Sequence, residues 1–154
     1  WPHGDRLPYV KPAENRFRAR LGWEGKFVFM YSGNHSPANP LDTIIEAALR
    51  LQEEAGLVFA FVGGGIGKMG LDALIRTQRP HNIVSLPYQP LSEIKYSLAA
   101  ADVHVVTLGD PVVGMIHPCK VYGAMAVGRP LLFVGPKPSH ITDIMEVGRI
   151  GWRA

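Results

Sequence analysis

The sequence predicts an α/β fold, a parallel sheet of about five to six strands with helices on both faces. Three observations lead there. Short apolar runs recur five times, a helical pattern follows each, and the runs are apolar throughout rather than at every second residue. Strands buried on both faces read this way, and parallel ones need crossover helices between them. Such sheets bind ligands at the carboxyl ends of their strands.

The first run is Phe27-Val-Phe-Met-Tyr-Ser32, stopped by Gly33-Asn34. Leu41, Ile44, Ile45, Ala48 and Leu51 then stand at helical spacing, predicting a helix over 41–55 that ends at Gly56. Leu57-Val-Phe-Ala-Phe-Val62 is the second strand, Gly63-Gly64-Gly65 its turn, and 69–78 the second helix. Ile83–Leu86 is the third strand, and Ser92 is placed to cap a helix reaching Ala100. Val103–Thr107 is the fourth. Pro118 suits the first position of a helix and Gly128 its end. Leu131–Val134 closes the strand series, and a last helix is predicted over 139–147. Residues 1–26, with Pro2, Pro8, Pro12 and a short charged piece from Glu14 to Arg20, read as a linker with one helical turn. The domain proper is 27–154.

Composition narrows the function classes. The chain has 154 residues, 47% of them hydrophobic, enough for one core. Sixteen Lys and Arg against 13 Asp and Glu give a net charge of +3, and the basic residues are scattered. That argues against nucleic acid. It suits an anionic small ligand, or a parent protein resting on the acidic inner face of the plasma membrane. Cys119 is the single cysteine, so no internal disulfide forms and a cytoplasmic setting is expected. Trp1–Tyr9 lacks a charged region followed by an apolar stretch, so no signal peptide is expected there. No run approaches the roughly 18 apolar residues that span a bilayer.

Gly65-Ile-Gly67-Lys-Met-Gly70 is a literal G-x-G-x-x-G between a strand and a helix, which raises a nicotinamide-dependent oxidoreductase. The fingerprint normally opens the first βαβ unit and is completed by an acid about 20 positions on, where Pro87-Tyr88 stand here. The window fails as a P-loop as well, with Val62 at the first glycine position and Met69 at the hydroxyl position. A tight turn, or a glycine loop lining a sugar-nucleotide cleft, are the other readings.

The richer block is Gly114-Met-Ile-His-Pro-Cys-Lys-Val-Tyr-Gly-Ala-Met-Ala-Val-Gly-Arg-Pro130. Glycine lets backbone approach closely, and a helix opening at Pro118 would aim free N–H groups and its dipole at an anion. Lys120 adds a positive charge in the first turn. A diphosphate fits this arrangement; a plain capped helix with a solvated lysine is the alternative.

This block resembles the donor-site signature of the group-one GT-B glycosyltransferases, especially the branch acting in capsule, exopolysaccharide and lipopolysaccharide assembly. Tyr31-Ser-Gly-Asn34, Val62-Gly-Gly-Gly65 and Ala99-Ala-Ala-Asp-Val103 match as well, and the resemblance covers residues 14–154. It implies the C-terminal, Rossmann-like half of a GT-B enzyme, which holds a nucleoside diphosphate sugar and passes the sugar to a glycan or lipid-linked acceptor, usually with retention. On that reading Val113, Gly114, Met115, Ile116 and Lys120 meet the diphosphate. Leu86, Pro87 and Tyr88 border the base, and Gly33 with Asn34 face the phosphates. Gly65 lines the cleft, and His35, Lys68 and His117 are further candidates for offsetting phosphate charge. The family uses no nicotinamide cofactor and usually no metal, and catalytic groups come partly from an N-terminal acceptor domain.

The chain departs from the family pattern at Met115 and Gly123, where many members carry two glutamates eight positions apart, and around Asn34 and Asn39, where a basic pair is usual. Ribose recognition is therefore not transferred to Gly123. The sequence begins in what reads as a linker and stops at Gly148-Arg-Ile-Gly-Trp152, where relatives continue into a strand and a helix. The domain by itself is expected to be inactive. A non-catalytic nucleotide-sugar-binding domain and an oxidoreductase stay open beside the transferase, with a sugar-nucleotide 2-epimerase as a variant of it.

Overall fold

The computed structural model describes Leu7 and residues 9–154. Trp1 to Arg6 and Pro8, which include most of the segment read for a signal peptide and two of the linker prolines, lie outside the described residues. One sheet of six parallel strands runs in the order β3-β2-β1-β4-β5-β6. The strands are β1 (Phe27–Asn34), β2 (Leu57–Gly64), β3 (Ile83–Leu86), β4 (Val103–Thr107), β5 (Leu131–Val134) and β6 (Gly151–Arg153). Among the described residues six α-helices accompany them: α1 (Arg16–Leu21), α2 (Asp42–Arg50), α3 (Lys68–Gln78), α4 (Ile94–Ala99), α5 (Lys120–Ala126) and α6 (His140–Gly148).

The unbroken apolarity of the strands has a direct structural meaning. Val28 and Met30 of β1 join Val58, Ala60 and Val62 of β2 in the core on one face. Tyr31, Phe59 and Phe61, their neighbours in sequence, join Leu41, Ile44 and Leu71 on the other. Successive side chains point to opposite faces, so a strand covered twice must be apolar at every position. Register is in step from Phe27↔Leu57 to Asn34↔Gly64, which brings the ends of β1 and β2 to one level.

Two aromatic residues of the segment 15–26 are packed into the same core. Phe17 and Trp23 are buried with Val28 and Met30. Arg18, also buried, donates to Asp102 Oδ2 at 3.1 Å, Ala100 O at 2.9 Å and Trp23 O at 3.1 Å. Asp102 Oδ2 in turn accepts the Val28 N–H at 2.8 Å. The Ala-Ala-Ala-Asp run before β4 thus anchors the entry of β1.

Several sequence expectations are corrected. The helix expected over 41–55 stops at Arg50, because the Asn82 amide takes the carbonyls of Ala48 at 2.8 Å and Leu51 at 3.1 Å. Ser92 is no cap: it lies inside a 3₁₀ turn, Leu91–Glu93, that precedes α4. β1 and β2 each run two residues further than the apolar runs, taking in Gly33, Asn34, Gly63 and Gly64. Pro118 does not open α5, which begins at Lys120. Val121 and Tyr122 donate three residues back, to Pro118 O and Cys119 O, both at 3.2 Å. This tight first turn uses N–H groups that an α-helical start would have left free. Among the described residues no helix is long and apolar enough to cross a membrane.

Candidate functional site

Strand order reverses between β1 and β4: the chain builds outward from β1 through β2 to β3, then returns to place β4 on the other side of β1. Loops diverge at such a switch point and leave a crevice at the carboxyl ends of the strands. A cavity of about 280 Å³ occupies it. Ser32 and Gly33 of β1, Val105 and Val106 of β4, Ile94 and Leu98 of α4, and Lys120 and Gly123 of α5 line it, with Tyr88 and Gln89 at one side.

Lys120 reaches this cavity across Gly33, whose φ of +144° lies in a region open to glycine and where a Cβ would stand 2.9 Å from Lys120 Cε. The ammonium donates to Asn39 Oδ1 at 3.0 Å and lies 5.0 Å from the centroid of the Tyr31 ring. Burial pushes Lys120 down to about 8. An ammonium whose charged form burial disfavours is one that a bound anion would stabilise. Tyr31, buried, donates its hydroxyl to Asn34 O at 2.7 Å, and burial pushes its pKa up, with Tyr88 adding to the effect.

His35 packs edge-on against Tyr31 with ring centroids 4.9 Å apart, and it is only 1% exposed, no surface loop residue. Its Nδ1 faces two carbonyls, Gly33 O at 3.1 Å and Gly64 O at 3.3 Å, so Nδ1 carries the hydrogen. Burial lowers its pKa, and Lys68 and Lys120 push the same way. The ring is a neutral strut joining β1 to β2. Lys68 is likewise turned inward, its ammonium donating to Gly63 O at 3.1 Å and to Leu86 O, and burial lowers its pKa. It ties α3 to the ends of β2 and β3.

The glycine triplet has a packing explanation. A Cβ on Gly65 would overlap the Asn34 side chain and the His35 carbonyl, and one on Gly67 would stand 3.2 Å from that carbonyl. Gly70 faces nothing within 4 Å. The triplet follows β2 rather than β1, and none of the three lines the switch-point cavity. Gly65 and Gly67 let the two loops close on each other.

The remaining expected residues form a second cavity. Val113, Gly114, Met115, Ile116 and His117 face Ser139, His140 and Asp143 of the α6 entry around about 430 Å³. His117 Nδ1 meets His140 Nδ1 at 2.7 Å, which requires one imidazole to donate and the other to accept. His117 is pushed down by burial and by His140. The chain passes from this cavity to the first between Pro118 and Cys119. Of the sequence candidates, the structure gathers Gly33, Tyr88 and Lys120 around the first cavity and residues 113–117 around the second. Pro87 and Lys68 border a groove beside α3, and Asn34 stands exposed at the tip of β1. Tyr31, Asn39, Gln89, Ile94 and Leu98 were not singled out as site residues; a polar side chain before a proline, such as Asn39, carries no signal that it will meet a lysine 81 positions on.

A six-stranded parallel sheet in this order, opened at its switch point, defines an α/β domain of Rossmann-like type, and it matches one half of the GT-B glycosyltransferases. HepE from Anabaena, solved in complex with UDP and glucose, superimposes with a TM-score of 0.72 over 96% of this chain and 40% of its own, at 20% identity. WaaG, a glycosyltransferase involved in lipopolysaccharide biosynthesis, gives 0.70 over 94% of this chain and 38% of its own, at 16% identity. The C-terminal domain of the group-one family protein LpcC from Francisella tularensis gives 0.64 over 83% and 68%, at 16% identity. In sequence the chain is 34% identical over 137 residues to WbjE of Pseudomonas aeruginosa, a glycosyltransferase by name, covering 84% of this chain and 32% of WbjE. It is 32% identical over 148 residues to WcaI of Escherichia coli (strain K12), named for glycosyl transfer in colanic acid biosynthesis, covering 95% and 36%. No protein-family model matches the chain. The chain is similar in sequence to these two glycosyltransferases, and it spans about a third of the length of the curated relatives it matches.

Proposed function

We propose that this domain binds a nucleoside diphosphate sugar in the switch-point cavity, as the donor half of a glycosyltransferase. The Lys120 ammonium carried over Gly33 to the mouth of that cavity is the observation that supports it most. A diphosphate beside Lys120 puts the ribose one helical turn on, near Gly123, and the base toward Tyr88 and Gln89, which line the same cavity. HepE, with the same fold, is solved with UDP and with UDP-glucose. Lys120 would offset the charge that develops on the leaving diphosphate as the glycosidic bond opens.

The rest of the reading concerns the whole protein. Residues 1–26 lead from an N-terminal acceptor domain, and closure of that domain on this one completes the cleft. Ile66, Tyr88 and Met115 on loops, Met69 at the start of α3 and Leu91 in the 3₁₀ turn before α4 stand exposed, an apolar rim that a second domain would cover. The full protein transfers a hexose-type sugar with retention to a glycan or lipid-linked acceptor, in the cytoplasm at the inner face of the membrane, with neither nicotinamide nor metal. This chain alone transfers nothing.

Calorimetric titration with UDP, GDP and ADP tests the site. Binding of at least one, weakened tenfold or more in Lys120→Met, is expected; no binding to any, or equal binding by the variant, counts against the assignment. Gly123 and Met115 favour a second reading, a domain that holds nucleotide sugar without catalysing transfer, since neither side chain offers a hydrogen-bond acceptor of the carboxylate kind. Transfer by the full-length protein that disappears in Lys120→Ala would exclude it.

A further inference from the structure

Nothing on its own helix grips the Lys120 ammonium; the partner comes from the β1–α2 connection. Asn39 is buried there, and its amide cannot turn freely. Its Nδ2 donates to Ser36 Oγ at 2.9 Å and its backbone N–H to Ser36 O at 2.9 Å. With Nδ2 committed to Ser36, Oδ1 is the atom left to face the ammonium, at 3.0 Å. The Tyr31 ring beneath supplies a cation-attracting face but no lone pair in the right direction.

We propose that Asn39 is the positioning residue of this site: clamped by Ser36, its carbonyl oxygen holds the Lys120 ammonium above Gly33 at the cavity mouth without neutralising it. The proposal rests on the reading of the cavity as a nucleoside diphosphate site. An amide is the suitable partner for that task. A carboxylate would form an ion pair that competes with the diphosphate, and an aliphatic side chain would leave the ammonium unpaired in a half-buried place, where the neutral amine is preferred. The titratable groups around Lys120 are Tyr31 of β1, His35, which packs on Tyr31 and feels both Lys68 and Lys120, and Cys119, the residue just before α5. All stay in place when residue 39 alone is changed.

The full chain is compared with Asn39→Leu, Asn39→Asp and Ser36→Ala, following the Lys120 titration by NMR of labelled lysine and UDP binding by calorimetry. Asn39→Leu is expected to lower the Lys120 titration midpoint and Asn39→Asp to raise it, while both weaken UDP binding at pH 7.5 at least fivefold. Ser36→Ala, which keeps Asn39 but frees its amide, weakens UDP binding about twofold and provides the test should Asn39→Leu fold poorly. Opposite movement of the midpoint is a signature that a purely structural asparagine would not give. A midpoint unchanged in both Asn39 variants, or moved in the same direction by both, overturns the proposal. Should the unmodified chain bind neither UDP, GDP nor ADP while the midpoints still separate, the nucleotide reading falls and the positioning of Lys120 by Asn39 stands.

Discussion

Gly33 and Lys120 are complementary: the lysine stem crosses the tip of β1 through the space where residue 33 would carry its Cβ, 2.9 Å from Lys120 Cε. Gly33→Ala therefore meets two obstacles, a φ of +144° that alanine rarely adopts and a blocked lysine. It is expected to lower stability by about 1–3 kcal/mol and to weaken UDP binding more than tenfold. Chemical denaturation and calorimetry on the same samples check both. Retained UDP affinity in a folded Gly33→Ala protein would show that Lys120 has another route to its ligand.

Lys120 itself separates binding from stability. Burial holds its pKa at about 8 in the folded chain against an ordinary 10.5. Between those values the unfolded chain keeps a proton that the folded chain has released, so stability rises with pH across that window. Lys120→Met is expected to remove that rise and to raise the melting temperature at neutral pH. Loss of a charge-assisted hydrogen bond of about 1.5–3 kcal/mol would weaken UDP binding roughly 10- to 100-fold. Melting curves from pH 7 to 10 in the two proteins are the measurement.

His104, fully buried on β4, sets the acid limit. Its Nε2 meets Leu98 O at 3.0 Å, and burial pushes it down to about 4, far below the ordinary 6.5. Stability is then complete above pH 6.5 and is lost as pH falls toward 4, because the unfolded chain takes up a proton that the folded chain refuses. The slope approaches about 1.4 kcal/mol per pH unit. His104→Gln should flatten the limb between pH 6.5 and 4, and an unchanged acid limb in that variant would assign the loss elsewhere.

Two glycines of one motif should respond in opposite ways. Gly65→Ala drives a Cβ into Asn34 and the His35 carbonyl at a φ of +121° and is expected to cost 2 kcal/mol or more, on the order of backbone strain plus overlap. Gly70→Ala, on α3 with open space around it, should be neutral or stabilise by about 0.5–1 kcal/mol. A large loss of stability in Gly70→Ala would revive a ligand or packing role for the third glycine.

The Arg18–Asp102 pair fastens the segment before β1. Replacing Arg18 by Ala leaves Asp102 beside a buried backbone N–H without its cation and is expected to destabilise by about 3–5 kcal/mol. Equal stability of Arg18→Ala and the unmodified chain in denaturant titration would contradict this.

The sequence by itself determined the alternating rhythm of this protein: five strands recognisable by unbroken apolarity, their helices, and a lysine one turn before Gly123. Those features are local, since period and turn residues are written along the chain. Helix ends were legible only where the stop is local too, as at Ser139, whose capping box with Thr142 starts α6. The Asn82 cap that shortens α2 comes from the next strand but one and leaves no mark in the helical pattern. The site divides in the same way. Glycine loops and Lys120 were visible as residue types, whereas the strand order that opens a crevice between β1 and β4, the inward turn of His35 and Lys68, and the meeting of Asn39 with Lys120 were decided by tertiary structure. Burial reassigns polar groups: once water is excluded, each must face whichever donor or acceptor the packed sheet brings to it, however distant in sequence.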